Sequence, residues 1–206
     1  MRIAIVGGTG AFGRALAERL QGLGEDVVIG SRDASRAHEI AVVIGVHGAS
    51  NDEAVVDADL VVLAVRSNAA LETARALAPA IGTTPLLSVA SDLTFTEHGV
   101  LPGRQSYSLA EHIDRIVDAP VAAGLQSLAV ARLSRPEPPD EDILVCGDDP
   151  RAKEPSLELA ARLIRGRAID AGPLANARAL EGMTAVILNV NRRYKTHAGI
   201  RLVGLE

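Results

Sequence analysis

The chain is poor in several residue types that announce a binding chemistry. It has a single cysteine, Cys146, which excludes an internal disulfide and any thiolate cage for zinc within one chain, and makes the reducing cytoplasm the expected compartment. Aromatic residues amount to 2% and tryptophan is absent. Phe12, Phe95, Tyr107 and Tyr194 leave little for stacking single-stranded bases or enclosing a quaternary ammonium group. No apolar run reaches the ~18 residues of a membrane span. The apolar start of the chain is too short for a signal-peptide core followed by a cleavage site, so the first strand is expected to begin at Arg2. A formal net charge of -5 argues against nucleic acid or anionic membrane as a partner, yet leaves room for a local basic cluster that recognises one phosphate. His38, His47, His98, His112 and His197 show no metal-ligand spacing, and no metal site is expected. There is no nucleophile elbow and no defensible Ser/His/Asp order. Cys146, at the tip of an apolar run, reads as a small core residue.

What is present is a globular composition: 48% hydrophobic, 23% charged, over 206 residues. That length suits one domain with a small appendage. Short apolar runs such as RIAIVG, DVVIG, DLVVLAV and PLLSVA alternate with amphipathic stretches of helical period, among them one with Leu16, Leu20 and Leu23 on one side. Continuous apolar strands are those covered on both faces. The pattern predicts an α/β fold: a doubly wound, mostly parallel, Rossmann-like sheet with a crossover at each step, and a small C-terminal extension ending in a long helix from Leu174 to about Tyr194. Residues 1–120 are expected to form the dinucleotide-binding part, and 121–206 a smaller substrate or dimerisation part packed on it. The stretch from Ser88 to Ser106 reads as the longest irregular segment, a candidate substrate-side loop or lid with Arg104. A proline-rich loop is expected at Ser134–Asp142.

The ligand of such a sheet lies beyond the carboxyl ends of its strands. There the sequence VGGTGAFG sets Gly8, Gly10 and Gly13 in G-x-G-x-x-G spacing between strand one and helix one. That is the arrangement for a tight turn, a close approach of backbone to pyrophosphate, and phosphate on helix N–H groups. About 20 residues further on, where an acid would hold a ribose 2'-hydroxyl, the chain reads Gly30, Ser31, Arg32, with Arg36 one turn later. A hydroxyl and two guanidinium groups suit a 2'-phosphate, so NADP(H) is read in preference to NAD(H). Asp33 is taken as an acid of the following helix's first turn.

The segments quoted so far, together with LVCGDDP, DAGPLANARALEGMTAVILNVN and a closing GIRLVGL, resemble in order the NADPH-dependent reductases of the deazaflavin coenzyme F420. The resemblance implies that NADP is held by Thr9, Gly10, Ala11 and Phe12 of the glycine loop and by Ser31, Arg32 and Arg36. Counting Gly8 and Gly13, the candidate cofactor contacts are completed by Ala64, Val65 and Ser67 after the fourth strand. It also implies direct hydride transfer between nicotinamide C4 and deazaflavin C5, a step needing little acid–base help, so no catalytic side chain is named. Two segments that line the family's second-substrate side differ here. Arg66 and Ser67 replace a Pro and an aromatic residue, and Gln126, Ser127, Leu128 and Ala129 replace His-Thr-Ile-Pro. Arg66 is a candidate anion contact, and His197 the one histidine near the nicotinamide side. On the last helix, Asn176, Met183, Thr184, Ile187 and Asn191 recur at helical spacing, as a substrate face or as core and dimer packing; a homodimer is expected. The alternative function is a non-catalytic NADP(H)-binding redox sensor or regulator. A pyrroline-carboxylate-type imine reductase is a third reading, weakened by the lack of a large helical C-terminal domain.

Overall fold

The structure is a computed structural model and describes residues 1–205. Eight strands form one sheet in the order β10-β9-β8-β5-β4-β1-β2-β3. The central pair shows why the sequence runs are continuously apolar. In β1 (Arg2–Val6), Ile3 and Ile5 enter the core on one face while Ala4 and Val6 enter the core on the other. In β4 (Leu60–Leu63), Leu60 and Val62 side with the first core, Val61 and Leu63 with the second. Alternation is hidden because both faces are dry. The first face is covered by α1 (Ala11–Gly22) and α7 (Pro150–Leu163), through Leu16, Leu20, Leu159 and Leu163. The second is covered by α4 (Ser67–Ile81), α5 (Leu109–Asp114) and the start of α8 (Ala177–Tyr194), through Leu77, Ile113 and Leu180.

Strands β2 (Asp26–Ser31), β3 (His47–Ser50), β5 (Leu86–Ser88) and β8 (Val121–Gly124) run parallel to β1 and β4. Helices α2 (Ala34–Ile44) and α3 (Asn51–Ala54) flank β3 in the chain. The sheet continues across residue 120 without a break. One expected crossover is absent: β9 (Ile143–Gly147) pairs antiparallel to β8, with Ala123 opposite Cys146. Parallel return requires a crossover, usually a full helix. The intervening segment holds only the four-residue α6 (Val130–Leu133) and the proline loop, so the chain doubles back. A crossover through α7 then lays β10 (Ala168–Asp170) parallel to β9.

The segment expected to be irregular is in large part a hairpin, which corrects the reading of 88–106 as a loop. β6 (Leu93–Thr96) and β7 (Gly99–Pro102) pair around Glu97 and His98. Gly99 takes a φ of 137°, open to glycine and strained for other residues. Asn189 of α8 clasps the hairpin with both amide atoms. Its Oδ1 accepts from Val100 N at 2.9 Å and its Nδ2 donates to Val100 O at 2.7 Å. Arg104 is exposed beyond β7. Among the described residues no helix is long and apolar enough to cross a membrane.

Candidate functional site

Two concavities open beyond the carboxyl ends of the sheet strands. The first, about 660 Å³, is lined by Gly7, Thr9, Gly10, Ser31, Arg32, Arg36, Asn51, Ala64, Val65 and Arg66, with Asn68, Ala69, Glu72 and Thr73 of α4. Of the predicted contacts it brings together Thr9, Gly10, Ser31, Arg32, Arg36, Ala64 and Val65. Gly8 and Gly13 lie behind its wall. A Cβ on Gly8 would meet Ile29 Cβ at 2.5 Å, and one on Gly13 would meet Gly7 O at 2.6 Å and Gly8 Cα at 2.7 Å. Their role is close packing of loop, helix and strand. Ala11 and Phe12 head α1, with Phe12 packed against the first core. Ser67 opens α4 outside the lining.

Gly7, just ahead of the expected motif, is the glycine whose conformation demands the residue type: φ is +83° and a Cβ would strike Ala64 O at 2.8 Å. Gly7 N and Gly8 N both donate to Gly30 O, at 3.1 and 3.0 Å, fastening the loop to the end of β2.

The donor set at the tip of β2 is arranged for an anion. Asp33 is occupied as the N-cap of α2, where its Oδ1 accepts from Arg36 N at 3.1 Å, so its carboxylate has a structural function. Ser31 Oγ accepts from Asp33 N at 3.2 Å, and its own proton remains available to a ligand. Arg32 and Arg36 are exposed, and among the described residues neither has an acid within ion-pair distance. Arg66, the candidate anion contact after β4, lines this nucleotide-side cleft. The residues present therefore fit a phosphorylated dinucleotide: a glycine approach, a hydroxyl and free guanidinium groups.

The second concavity, about 650 Å³, is walled by Gln126, Ser127, Leu128, Ala129, Val130 and Ala131 after β8, by Thr184, Ile187, Leu188 and Asn191 of α8, and by Lys195, Thr196 and His197. All four positions of the altered post-β8 segment thus line one pocket. Three of the helical-spacing residues on α8, Thr184, Ile187 and Asn191, face it. Asn176 does not, since its Nδ2 donates to Ala171 O at 2.6 Å. A polar chain fixes the floor: Gln126 Nε2 donates to Ser88 O at 3.2 Å, Thr184 Oγ1 donates to Gln126 O at 3.1 Å, and Ser91 Oγ lies 3.0 Å from Thr184 Oγ1. Strand β5, between β4 and β8, separates the two concavities.

Sequence reasoning missed Glu181, a carboxyl buried on α8 at 3% exposure. It accepts from Ala110 N at 3.3 Å and from Asp92 N at 3.4 Å, tying the first turn of α5 to the segment after β5. Burial pushes it up to about 7 against the pull of these donors. The signal lay in its place on the buried face of α8, beside Leu180 and four residues before Ala185. Cys146 is fully buried, and burial pushes its thiol up to about 12, as suits an inert core residue.

The family described as NADP oxidoreductase coenzyme F420-dependent matches residues 2–92. The F420-dependent NADP reductase of Methanothermobacter thermautotrophicus is 35% identical, with all of this chain and 96% of that protein covered. The F420-dependent NADP reductase of Methanocaldococcus jannaschii is 32% identical, with 100% of both covered. A solved structure from Arthrobacter sp. FB24, described as a candidate F420-dependent NADP reductase, superposes with a TM-score of 0.85 at 27% identity, covering 99% of this chain and 100% of that one. A reductive aminase from Aspergillus terreus in complex with NADPH reaches a TM-score of 0.67 over 94% of this chain and 62% of that one, at 21% identity, a likeness of fold alone.

Proposed function

Because the chain belongs to the family of coenzyme F420-dependent NADP oxidoreductases, we propose that it passes a hydride between NADP(H) in the charged cleft and F420 in the apolar pocket. It is an NADP(H)-dependent oxidoreductase, with NADP(H) and F420 as its cosubstrates. The observation that carries the assignment of sites is the pairing itself: a donor-rich cleft at β1, β2 and β4, and an apolar pocket at β8, on the far side of β5.

The glycine loop presents backbone N–H groups to a pyrophosphate, and Ser31, Arg32 and Arg36 receive the 2'-phosphate. A dinucleotide anchored there directs its nicotinamide end over β5 toward Gln126. The walls of Leu128, Val130, Ile187 and Leu188 then confine a flat ring and exclude water. The hydride exchange between nicotinamide C4 and deazaflavin C5 is chemistry that the cofactors supply. The protein's part is to hold both rings within reach, which explains a pocket that, among the described residues, is lined by no carboxylate and offers only Lys195 and His197 as titratable groups. A homodimer and a cytoplasmic location complete the proposal: Phe95, Leu101 and Val186 are exposed apolar residues on the hairpin and α8, and Cys146 is unpaired.

The test is absorbance of purified protein mixed with NADPH and oxidised F420, with a flavin and an imine as parallel acceptors. Bleaching of the deazaflavin at an enzymatic rate is expected. Tight NADPH binding without turnover of F420 overturns the acceptor assignment and restores the sensor reading. Val130→Trp, which fills the second pocket, should raise KM for F420 and leave NADPH affinity intact.

A further inference from the structure

Among the described residues beyond α8 there is no further helix or strand, yet residues 196–205 are held by a dense set of bonds. Thr196 N donates to Asn191 O at 3.2 Å and Ala198 N to Asn191 Oδ1 at 2.6 Å. Asp142 N donates to Ile200 O at 2.7 Å, and Leu202 N returns a bond to Asp142 Oδ2 at 2.8 Å. The Arg167 guanidinium pairs with Asp142 and donates to the carbonyls of Leu202 and Leu205. This C-terminal strap brings His197 to the mouth of the second pocket.

One residue joins the strap to the opposite wall. Arg132 sits on α6, next to the pocket-lining Ala129, Val130 and Ala131. Its Nε donates to Glu141 Oε1 at 3.1 Å and its Nη1 to His197 O at 3.2 Å. The Glu141 side chain is 1% exposed, and among the described residues its Oε2 has no hydrogen-bond partner; it faces Gly199, where a Cβ would collide with it. Burial pushes this carboxyl upward while Arg132 opposes the shift. A buried carboxylate with one satisfied oxygen depends on its single cation, and removing that cation leaves an uncompensated charge under the strap.

We propose that Arg132 is a positioning residue for the acceptor: by holding Glu141 and the His197 carbonyl together, it fixes the C-terminal strap against α6 and so sets the width of the second pocket. The proposal rests on the reading of that pocket as the F420 site. The geometry requires a forked donor, because one nitrogen serves the carboxylate and another the carbonyl; a lysine cannot span both in the same way.

Three variants test it. Arg132→Met keeps the apolar stem and removes the fork. Gly199→Ala presses a methyl on Glu141 and displaces the same strap without touching Arg132. Arg132→Lys restores the charge alone. Arg132→Met and Gly199→Ala should each raise KM for F420 by about tenfold or more, with NADPH Kd within about twofold, as for loss of a charge-assisted hydrogen bond on one side of the site. Arg132→Lys should recover part of that loss. Hydrogen exchange of the Thr196, Ala198 and Leu202 amides should accelerate in the first two variants, which reports the strap independently of any acceptor. Unchanged exchange overturns the proposal. So does faster exchange with an unchanged KM for F420 when Val130→Trp does raise that KM. If Val130→Trp also leaves it unchanged, the pocket is not the acceptor site and the positioning role falls with it.

Discussion

Gly10 and Gly13 belong to one motif, yet the structure separates what each does, and a pair of alanine substitutions should split their effects. Gly10 sits at φ -76°, ψ 164°, a backbone conformation open to any residue. A Cβ there would meet only Gly7 O, at 3.3 Å. The folded apo-protein should therefore lose no more than about 1 kcal/mol, mostly from a poorer helix N-cap. The same methyl stands on the cleft wall where the pyrophosphate must approach. If it acts as an overpacked group in the complex, at about 1 to 3 kcal/mol, NADPH and NADH affinity should both fall by roughly 5- to 150-fold.

Gly13 is the reverse case. Its added Cβ would lie 2.6 Å from Gly7 O and 2.7 Å from Gly8 Cα, both backbone atoms of the loop that α1 packs against. Backbone cannot rotate away, so Gly13→Ala should destabilise the apo-fold by about 1 to 3 kcal/mol, a fall in Tm of roughly 2 to 12 °C for a chain of this size. Thermal unfolding of the apo-proteins beside NADPH titrations by quenching or calorimetry separates the two. Unimpaired binding in Gly10→Ala would mean that the loop does not cradle the pyrophosphate. An equal or larger Tm loss at Gly10 than at Gly13 would refute the assignment of packing and binding roles.

Arg32→Ala should weaken NADPH by about 1.5 to 3 kcal/mol, the range for hydrogen bonds to charged groups, and leave NADH nearly unchanged; equal losses for both would defeat the 2'-phosphate assignment. Folding raises the Glu181 carboxyl from 4.5 to about 7, so the folded chain binds this proton more tightly than the unfolded one. The resulting stabilisation is complete below the unfolded pKa and is lost as pH rises through about 7. Glu181→Gln should accordingly reduce the fall of Tm across that window, and parallel Tm curves for variant and native protein would show that the carboxyl is not the source.

The nucleotide half of the site was readable from the sequence because its demands are local. A loop between a strand and a helix, followed by a strand tip, can be located by counting residues, and Ser31, Arg32 and Arg36 fall where the count puts them. Gly8 and Gly13 answer to Ile29 and Gly7 within the protein, while Gly7, the residue with the positive φ, lies one place ahead of the template. The hairpin was missed because its stabilising partner, Asn189, is 89 residues from Val100. Its strands carry four residues each, too few to establish an alternating pattern against the surrounding loops. The antiparallel β9 was missed for a related reason: DILVCG has the same apolar run whichever way it pairs.

The acceptor half is built by closure over distance, which no period records. Arg132 reaches His197 across 65 positions, and Thr184 reaches Gln126 across 58. The family match, confined to residues 2–92, ends before β8, α8 and the strap that wall this pocket. Substitutions in that half can reshape the pocket while leaving the glycine loop and the β2 tip in place, because β5 stands between them in the sheet. Gln126–Ala129, where the sequence departs from what the resemblance implies, lie in this half. Gln126 gives a side-chain N–H to Ser88 O and its backbone carbonyl accepts from Thr184 Oγ1, so both its side chain and its main chain are tied to the floor. On the proposed reading of this pocket, the opposite wall adds Lys195 at the end of α8 and His197 on the strap, whose backbone carbonyl is held by Arg132.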